Sequence, residues 1–89
     1  MWHRDEFLNY WWNDKVVYMS KHALEELEQN NKTIDFVGEI LENGNHRLVS
    51  KKKGKYEVTL RKSKIIWKMI YAIHEGKVVI IRLDIGERL

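Results

Sequence analysis

The stretch that decides the fold is residues 65–84, IIWKMIYAIHEGKVVIIRLD. Two runs rich in Ile and Val, Ile65–His74 and Val78–Asp84, flank the dipeptide Glu75-Gly76, which is typical of a tight hairpin turn. Opposed residues of a hairpin share a face, so this turn sets the register. The predicted pairs are His74 with Lys77, Ala72 with Val79, Ile70 with Ile81 and Lys68 with Leu83.

Two more strands are predicted just before this hairpin, His46–Lys51 and Tyr56–Arg61. A turn at Lys62-Ser63 places Val58 opposite Trp67 and divides the sheet into two unlike faces. One face is apolar and suited to a cover of helices: Tyr56, Val58, Leu60, Ile65, Trp67, Met69, Tyr71, Ile73, Val78 and Ile80. The other is mixed, and we expect a concave surface that leaves Arg61, Lys68 and His74 available to a ligand. Arg82 and Asp84 fall on the helix side, where an ion pair is expected.

The first half of the chain has a helical period. Val16–Met19 is predicted as a strand, and Ser20 as the N-cap of a helix over Lys21–Asn30. Thr33 is expected to cap a second helix, Ile34–Glu42, which Asn43-Gly44 would end in the left-handed conformation. The predicted order is therefore β-α-α-β-β-β-β, an α+β fold with two helices on one face of a curled antiparallel sheet.

Residues 1–15 form a Trp-rich segment ahead of a domain predicted over residues 16–89. We predict a short helix or an extended arm, because its apolar positions recur about once per helical turn. Trp2, Trp11 and Trp12 must pack on their own domain, on a second copy or on another partner. A homodimer formed through these three tryptophans is one of the arrangements expected.

Charge is unevenly distributed along the chain. Residues 1–44 carry a net charge of −5, residues 45–64 carry +7, and the rest carry +1. Such a concentration of positive charge on neighbouring strands predicts a polyanion as partner, with RNA or DNA first and an acidic protein second. A solvated basic hairpin without a partner is the alternative. The side chains predicted to contact a nucleic acid are Arg47, Lys51, Lys52, Lys53, Lys55, Lys62 and Lys64.

Composition excludes several classes of protein. The chain has no cysteine, which removes disulfides, thiolate catalysis and Cys-based zinc sites. Its four histidines are widely spaced and form no recognisable metal set, and no glycine-rich phosphate-binding motif is present, so we predict no cofactor. The absence of a long apolar run and of a signal-like N-terminus predicts a cytoplasmic protein without membrane attachment. Abundant Lys, Glu and Ile without Pro is a composition common in heat-loving organisms.

Two segments carry a family resemblance. The helix start Met19-Ser20-Lys21-His22-Ala23-Leu24 and the second helix ending in Leu41-Glu42-Asn43-Gly44 are followed by a closing hairpin, Ile65–Ile85. Over about residues 16–86 this pattern resembles an uncharacterised branch of the RelE/ParE superfamily of small toxin-like domains. The resemblance implies a RelE-like fold.

The resemblance also implies a chemistry. RelE-like members that are active cut mRNA, usually in the ribosome, without a metal, by attack of the 2′-OH on the adjacent phosphate. This reaction needs a base, cations around the phosphorus and an acid. Mapped onto this chain, Arg61 and Lys68 would hold the phosphate and His74 would be the acid or base. His22, in the first turn of the first helix, is a second candidate base.

Three functions remain open from the sequence. The first is an RNA-binding RelE-like domain, either a metal-independent endoribonuclease or a relative that only binds. The second is a protein-interaction module for an acidic or helical, antitoxin-like partner. The third is a DNA-binding accessory protein.

Overall fold

A computed structural model describes residues 6–89. It contains six strands and two helices, arranged in chain order as β1-β2-α1-α2-β3-β4-β5-β6. Their bounds are β1 Glu6–Trp12, β2 Lys15–Met19, α1 Lys21–Gln29, α2 Ile34–Asn43, β3 Asn45–Ser50, β4 Lys55–Lys62, β5 Ile65–His74 and β6 Lys77–Arg88. Trp2 lies outside the described residues. No helix within 6–89 is long and apolar enough to cross a membrane.

All six strands form one sheet in the order β1-β2-β6-β5-β4-β3. The α+β class and the order of elements from β2 onward are as predicted. The sheet is mixed, however, because β2 runs parallel to β6, with Val17 beside Val78. The prediction of a purely antiparallel sheet was therefore wrong. The helical alternative for the Trp-rich segment was also wrong, since residues 6–12 form an edge strand paired with β2.

Both helices begin where their caps were predicted. The Ser20 hydroxyl accepts a hydrogen bond from the Ala23 N–H at 3.1 Å and donates to the Ile81 carbonyl at 3.0 Å, which fastens the start of α1 to β6. Thr33 occupies the N-cap of α2 without a side-chain cap. Gly44 ends α2 with extended backbone (φ −80°, ψ 171°), so the predicted left-handed stop was wrong. A Cβ at Gly44 would lie 2.6 Å from the Ile40 carbonyl oxygen, so close packing requires glycine here.

The turn between β4 and β5 lies one residue later than predicted. Ser63, with φ 59°, and Lys64 form it, so Val58 opposes Met69 and not Trp67. Because this shift moves each partner by two positions, every residue keeps its predicted face. The ten apolar residues assigned to the helix side accordingly lie in the core or pack against it.

The β5–β6 hairpin keeps its predicted register only near its turn. His74 opposes Lys77 and Ala72 opposes Val79, but a bulge at Ile81 then places Arg82 opposite Ile70. Asp84 opposes Lys68 for the same reason. The prediction that Arg82 and Asp84 lie on the helix side with Ile80 was therefore wrong, although the two residues form the expected ion pair, at 3.3 Å.

The sheet curls around its helices. Trp12 and His46 belong to strands at opposite edges, yet their rings stack 5.0 Å apart on the helix face. His46 Nε2 lies 2.8 Å from the Leu41 carbonyl oxygen, and it must be the donor because a carbonyl oxygen can only accept. In a neutral imidazole the other nitrogen is an acceptor, so Nδ1 accepts from the Tyr71 hydroxyl at 2.7 Å. The face opposite the helices, called the free face below, lies on the outside of this curl. It is not the concave surface that was expected.

Candidate nucleic-acid interface

The basic residues of the 45–64 segment lie in two groups at opposite ends of the sheet. Lys51, Lys52 and Lys53 form the β3–β4 turn, called the lysine turn below. The Gly54 carbonyl accepts the Ile73 N–H at 2.9 Å, so this turn lies beside the β5–β6 turn. Arg61, Lys62 and Lys64 lie at the far end of β4. The eight residues of β4 span about 23 Å at ~3.3 Å per residue, so the charges form two patches.

Ion pairs with carboxylates involve only some of the basic residues. In the far half of the sheet, Lys62 pairs with Glu39 of α2, and Arg61 Nε donates to the Ser63 carbonyl oxygen at 3.2 Å. Among the described side chains, Arg61 and Lys64 have no carboxylate partner. Near the middle, Glu57 contacts Arg47 at 3.1 Å and Lys68 at 3.9 Å.

At the lysine-turn end, four lysines have no carboxylate partner among the side chains that the structure describes: Lys51, Lys52, Lys53 and Lys55. Cations that are free of carboxylates are the ones available to an incoming phosphate.

The four residues proposed for catalysis do not converge. His74 lies six positions along β5 from Lys68, which is about 20 Å at ~3.3 Å per residue. Arg61 opposes Ile66, two residues beyond Lys68 and further still from His74. His74 is exposed at the β5–β6 turn, 3.4 Å from the Glu75 carboxylate. Arg61 and Lys68 therefore share one end of the free face, and His74 belongs to the other.

His22 lies in a separate charged cluster on the edge of β6. Its Nε2 is 3.7 Å from Glu26, which also accepts the Leu83 N–H at 2.9 Å and lies 3.5 Å from Arg82. Burial raises the pKa of Glu26, and Asp84 raises it further, while the Leu83 hydrogen bond lowers it. The carboxylate covers a backbone donor at the point where β2 no longer pairs with β6, which is a structural role.

Aromatic side chains that the sequence did not place on a sheet face lie on the free face. Trp11 is 60% exposed and Phe7 49% exposed. Phe7 opposes Tyr18, with ring centroids 5.6 Å apart, and Tyr18 opposes Val79 of β6. Phe7, Trp11 and Tyr18 are called the aromatic strip below. Asn13-Asp14 between two apolar runs was the available signal, because both residues have positive φ and form the β1–β2 turn.

The aromatic strip and the free lysines meet at the same end of the sheet. Trp11 opposes Val16, Val16 lies beside Lys77, and Lys77 opposes His74. Lys77 Nζ lies 5.6 Å from the Tyr18 ring centroid, within the range of a cation–π contact. In the next row Lys55 opposes Ala72. This end of the free face therefore has aromatic rings on β1 and β2 and ammonium groups on β6 and β4.

A comparison with protein-family models, curated proteins and solved structures finds no match to this chain. Functional inference therefore depends on the geometry of the free face and on the residues themselves.

A cavity of about 380 Å³ lies between β1 and α2, on the helix side. Its lining consists of Tyr10, Ile34, Asp35, Gly38, Glu39, Glu42 and Asn43. The Tyr10 hydroxyl donates to the Glu42 carboxylate at 3.0 Å. Burial raises the pKa of Tyr10, and the neighbouring Glu42 carboxylate raises it further. Three carboxylates in its lining make this cavity unsuitable for a phosphate. Within the described residues, no three His, Asp or Glu side chains are grouped as a metal site.

Proposed function

We propose that this chain binds single-stranded RNA across its free face. Bases stack on the aromatic strip, while Lys55, Lys77 and the lysine turn contact the phosphates. The observation that carries the proposal is that two exposed rings, the half-buried Tyr18 and several unpaired lysines lie at the same end of the sheet. This combination of stacking platform and positive charge is the usual means of binding single strands.

The preference for single strands follows from the kind of contact offered. A ring lying on a sheet surface can stack only on a base that has left its duplex. Trp11 and Lys77 are separated by two inter-strand spacings, about 10 Å, so one short segment of nucleic acid can reach both. A duplex would meet the lysines but not the rings.

The choice of RNA over DNA depends on the family resemblance. The elements from Lys15 to Arg88 follow the order of a RelE-like domain, with β1 as an additional edge strand. We propose that the fold is such a variant. Active relatives act on mRNA, which favours RNA as the ligand. The proposal is one of binding, because His74 lies about 20 Å along β5 from Lys68, so these two cannot act on one phosphate.

The test is binding of an end-labelled oligouridine of about twelve nucleotides, measured by fluorescence anisotropy. Trp11→Ala removes one stacking surface, and loss of one stacked base costs ~1–3 kcal/mol, or about 5- to 150-fold in Kd. The matched control is Ile34→Ala, which truncates another exposed apolar side chain, on α2. Equal effects of the two substitutions would refute stacking on the aromatic strip.

Salt dependence tests the lysines. Lys55, Lys77 and the three lysines of the turn give up to five phosphate contacts, so log Kd should change with log salt with a slope of about 3.5. Lys77→Ala should lower the slope by about 0.7, whereas Lys21→Ala, on α1, should leave it unchanged. A slope near zero would refute phosphate binding.

Competition with unlabelled strands identifies the preferred ligand, and incubation of RNA with the protein in EDTA tests for metal-independent cleavage. Unlabelled single-stranded RNA should compete better than duplex RNA or single-stranded DNA, and better competition by duplex would refute the proposed mode. Wild-type cleavage that leaves 2′,3′-cyclic ends and is lost in Arg61→Ala/His74→Ala would instead favour the ribonuclease hypothesis.

A further inference from the structure

We infer that β3 is a self-association edge, through which two copies of this chain pair antiparallel and join their sheets. Among residues 6–89, β3 is the last strand of the sheet and pairs only with β4. Asn45 to Val49 are all exposed, and Leu48 and Val49 are each 47% exposed. Edge strands in monomers are usually protected by charge, by a bulge or by a covering loop. β3 has Arg47 and a bulge, yet two large apolar side chains remain accessible. This inference does not depend on the proposed function.

The register of the pairing follows from charge and burial. A two-fold axis at Arg47 would place two guanidinium groups opposite each other, which is unfavourable. An axis at Leu48 places the two Leu48 side chains together and each Arg47 opposite the partner's Val49. Val49 lies at a bulge and has no partner on β4, so its backbone groups are available. The axis at Leu48 is therefore the one that buries both apolar side chains and opposes no like charges.

Charge complementarity favours a second copy over a foreign strand. The boundary between the acidic and basic parts of the sequence lies at Gly44, directly before β3. Antiparallel pairing about Leu48 brings Lys52 and Lys53 of one copy to the partner's Gly44 and the partner's Asn43, next to the partner's Glu42. The same contact recurs on the other side of the axis, as an isologous interface requires. Each copy thus places its basic turn on the negative C-terminal end of the other copy's α2.

An axis through a residue also fixes the orientation of the two sheets. Opposed residues of an antiparallel pair share a face, so Leu48 opposite Leu48 leaves both free faces on the same side of the joined sheet. An interface confined to one strand buries less than the ~1,200 Å² of a standard complex, so we expect a weak, reversible dimer. Sedimentation over about 10 to 500 µM should show a mass rising from 10.8 kDa toward twice that value.

A single cysteine tests the register directly, because the chain has none of its own. Opposed residues in an antiparallel pair have Cα atoms ~4.5–5.5 Å apart, within the ~4.4–6.8 Å that a disulfide requires. Leu48→Cys should therefore form a disulfide-linked dimer under mild oxidation. Leu89→Cys, which replaces another exposed leucine, should crosslink at least ten times more slowly. Equal rates would overturn the proposed register.

Charge substitutions test the same interface without crosslinking. Leu48→Lys brings two ammonium groups together at the axis and should abolish the dimer, whereas Ile34→Lys should not. Glu42→Lys should weaken the dimer, and adding Lys53→Glu in the same chain should restore it. A chain that stays at 10.8 kDa at every concentration would overturn the inference, as would a dimer that survives Leu48→Lys. A dimer abolished by Trp11→Ala but not by Leu48→Lys would instead place the contact on β1.

Discussion

The hydrogen bond between Tyr71 and His46 gives the sharpest test of how the sheet is held in its curl. Tyr71 is 2% exposed, and its hydroxyl lies 2.7 Å from His46 Nδ1. Tyr71→Phe keeps the ring and removes this hydrogen bond. The expected loss near pH 7 is about 1 kcal/mol in the free energy of unfolding. For a domain of this size, that loss corresponds to a fall in Tm of about 4–8 °C.

The difference between the two proteins should disappear in alkali. Burial raises the pKa of Tyr71 from 10.0 to about 12, with Tyr56 adding to the effect. Between these two values the folded chain keeps a proton that the unfolded chain has lost, so stability falls as pH rises. The fall is ~1.4 kcal/mol per pH unit, so by about pH 11 it should cancel the advantage of the wild type. Tyr71→Phe has no such group and should lack this contribution.

Urea unfolding at about pH 7, 9, 10 and 11 measures both effects on the same samples. Tyr18→Phe is the matched control, because this half-buried ring lies on the free face, and it should show the same alkaline fall as the wild type. If Tyr71→Phe loses stability between pH 10 and 11 as steeply as the wild type does, the buried hydroxyl is not the cause and the reasoning fails.

Three further outcomes follow from the backbone and the caps, each measured by urea unfolding. Gly44→Ala should lower the free energy of unfolding by more than ~3 kcal/mol or prevent folding, since its Cβ would lie 2.6 Å from a backbone carbonyl oxygen. Gly76→Ala should lower it by only about 1 kcal/mol, because Gly76 has a positive φ but open space around it. Ser20→Ala should cost ~1–2 kcal/mol, whereas Thr33→Ala, which removes no cap hydrogen bond, should cost under about 0.5 kcal/mol; equal losses would contradict the assigned cap. Glu26, whose pKa is raised from 4.5, should favour the wild type over Glu26→Gln increasingly as pH falls from neutrality toward about 4, and a constant difference would contradict its burial.

The parts of the fold that sequence predicted are those with local signals. Ile65–His74 was predicted to the residue, because a long apolar run ends at a turn where Glu75 and Gly76 both have positive φ. Ser20 was recognised because a cap acts within one helical turn. Predicting the β4–β5 turn at Lys62-Ser63, where the structure has it at Ser63-Lys64, left every residue on its correct face, because partners two positions apart point the same way.

The remaining parts depend on contacts between distant residues. Nothing local to Val16–Met19 indicates that it pairs in parallel with Val79 and its neighbours, some sixty residues away. The bulge at Ile81 likewise depends on how β6 passes the end of β2.

The candidate site shows the same division. Its lysines were visible in the sequence as a dense run of charge. That the basic residues form two patches became clear only from the positions at which β3 and β4 begin and end. Trp11 and Tyr18 could be placed on one surface only once β1 was known to be a strand.

The parallel pairing of β2 with β6 also has a consequence for synthesis of the chain. Tyr18 leaves the ribosome long before Val79, the residue it lies beside. At ~5–20 residues per second, the sixty or so intervening residues take about 3 to 12 s to translate. During that interval β2 lacks its central neighbour, and β1, which pairs with β2, has no sheet to join. The aromatic residues of the proposed binding surface are therefore synthesised before β6, and they reach their positions in the sheet only after β6 has been made. Until then the nascent chain exposes them to chaperones and cannot offer them to a ligand as one surface.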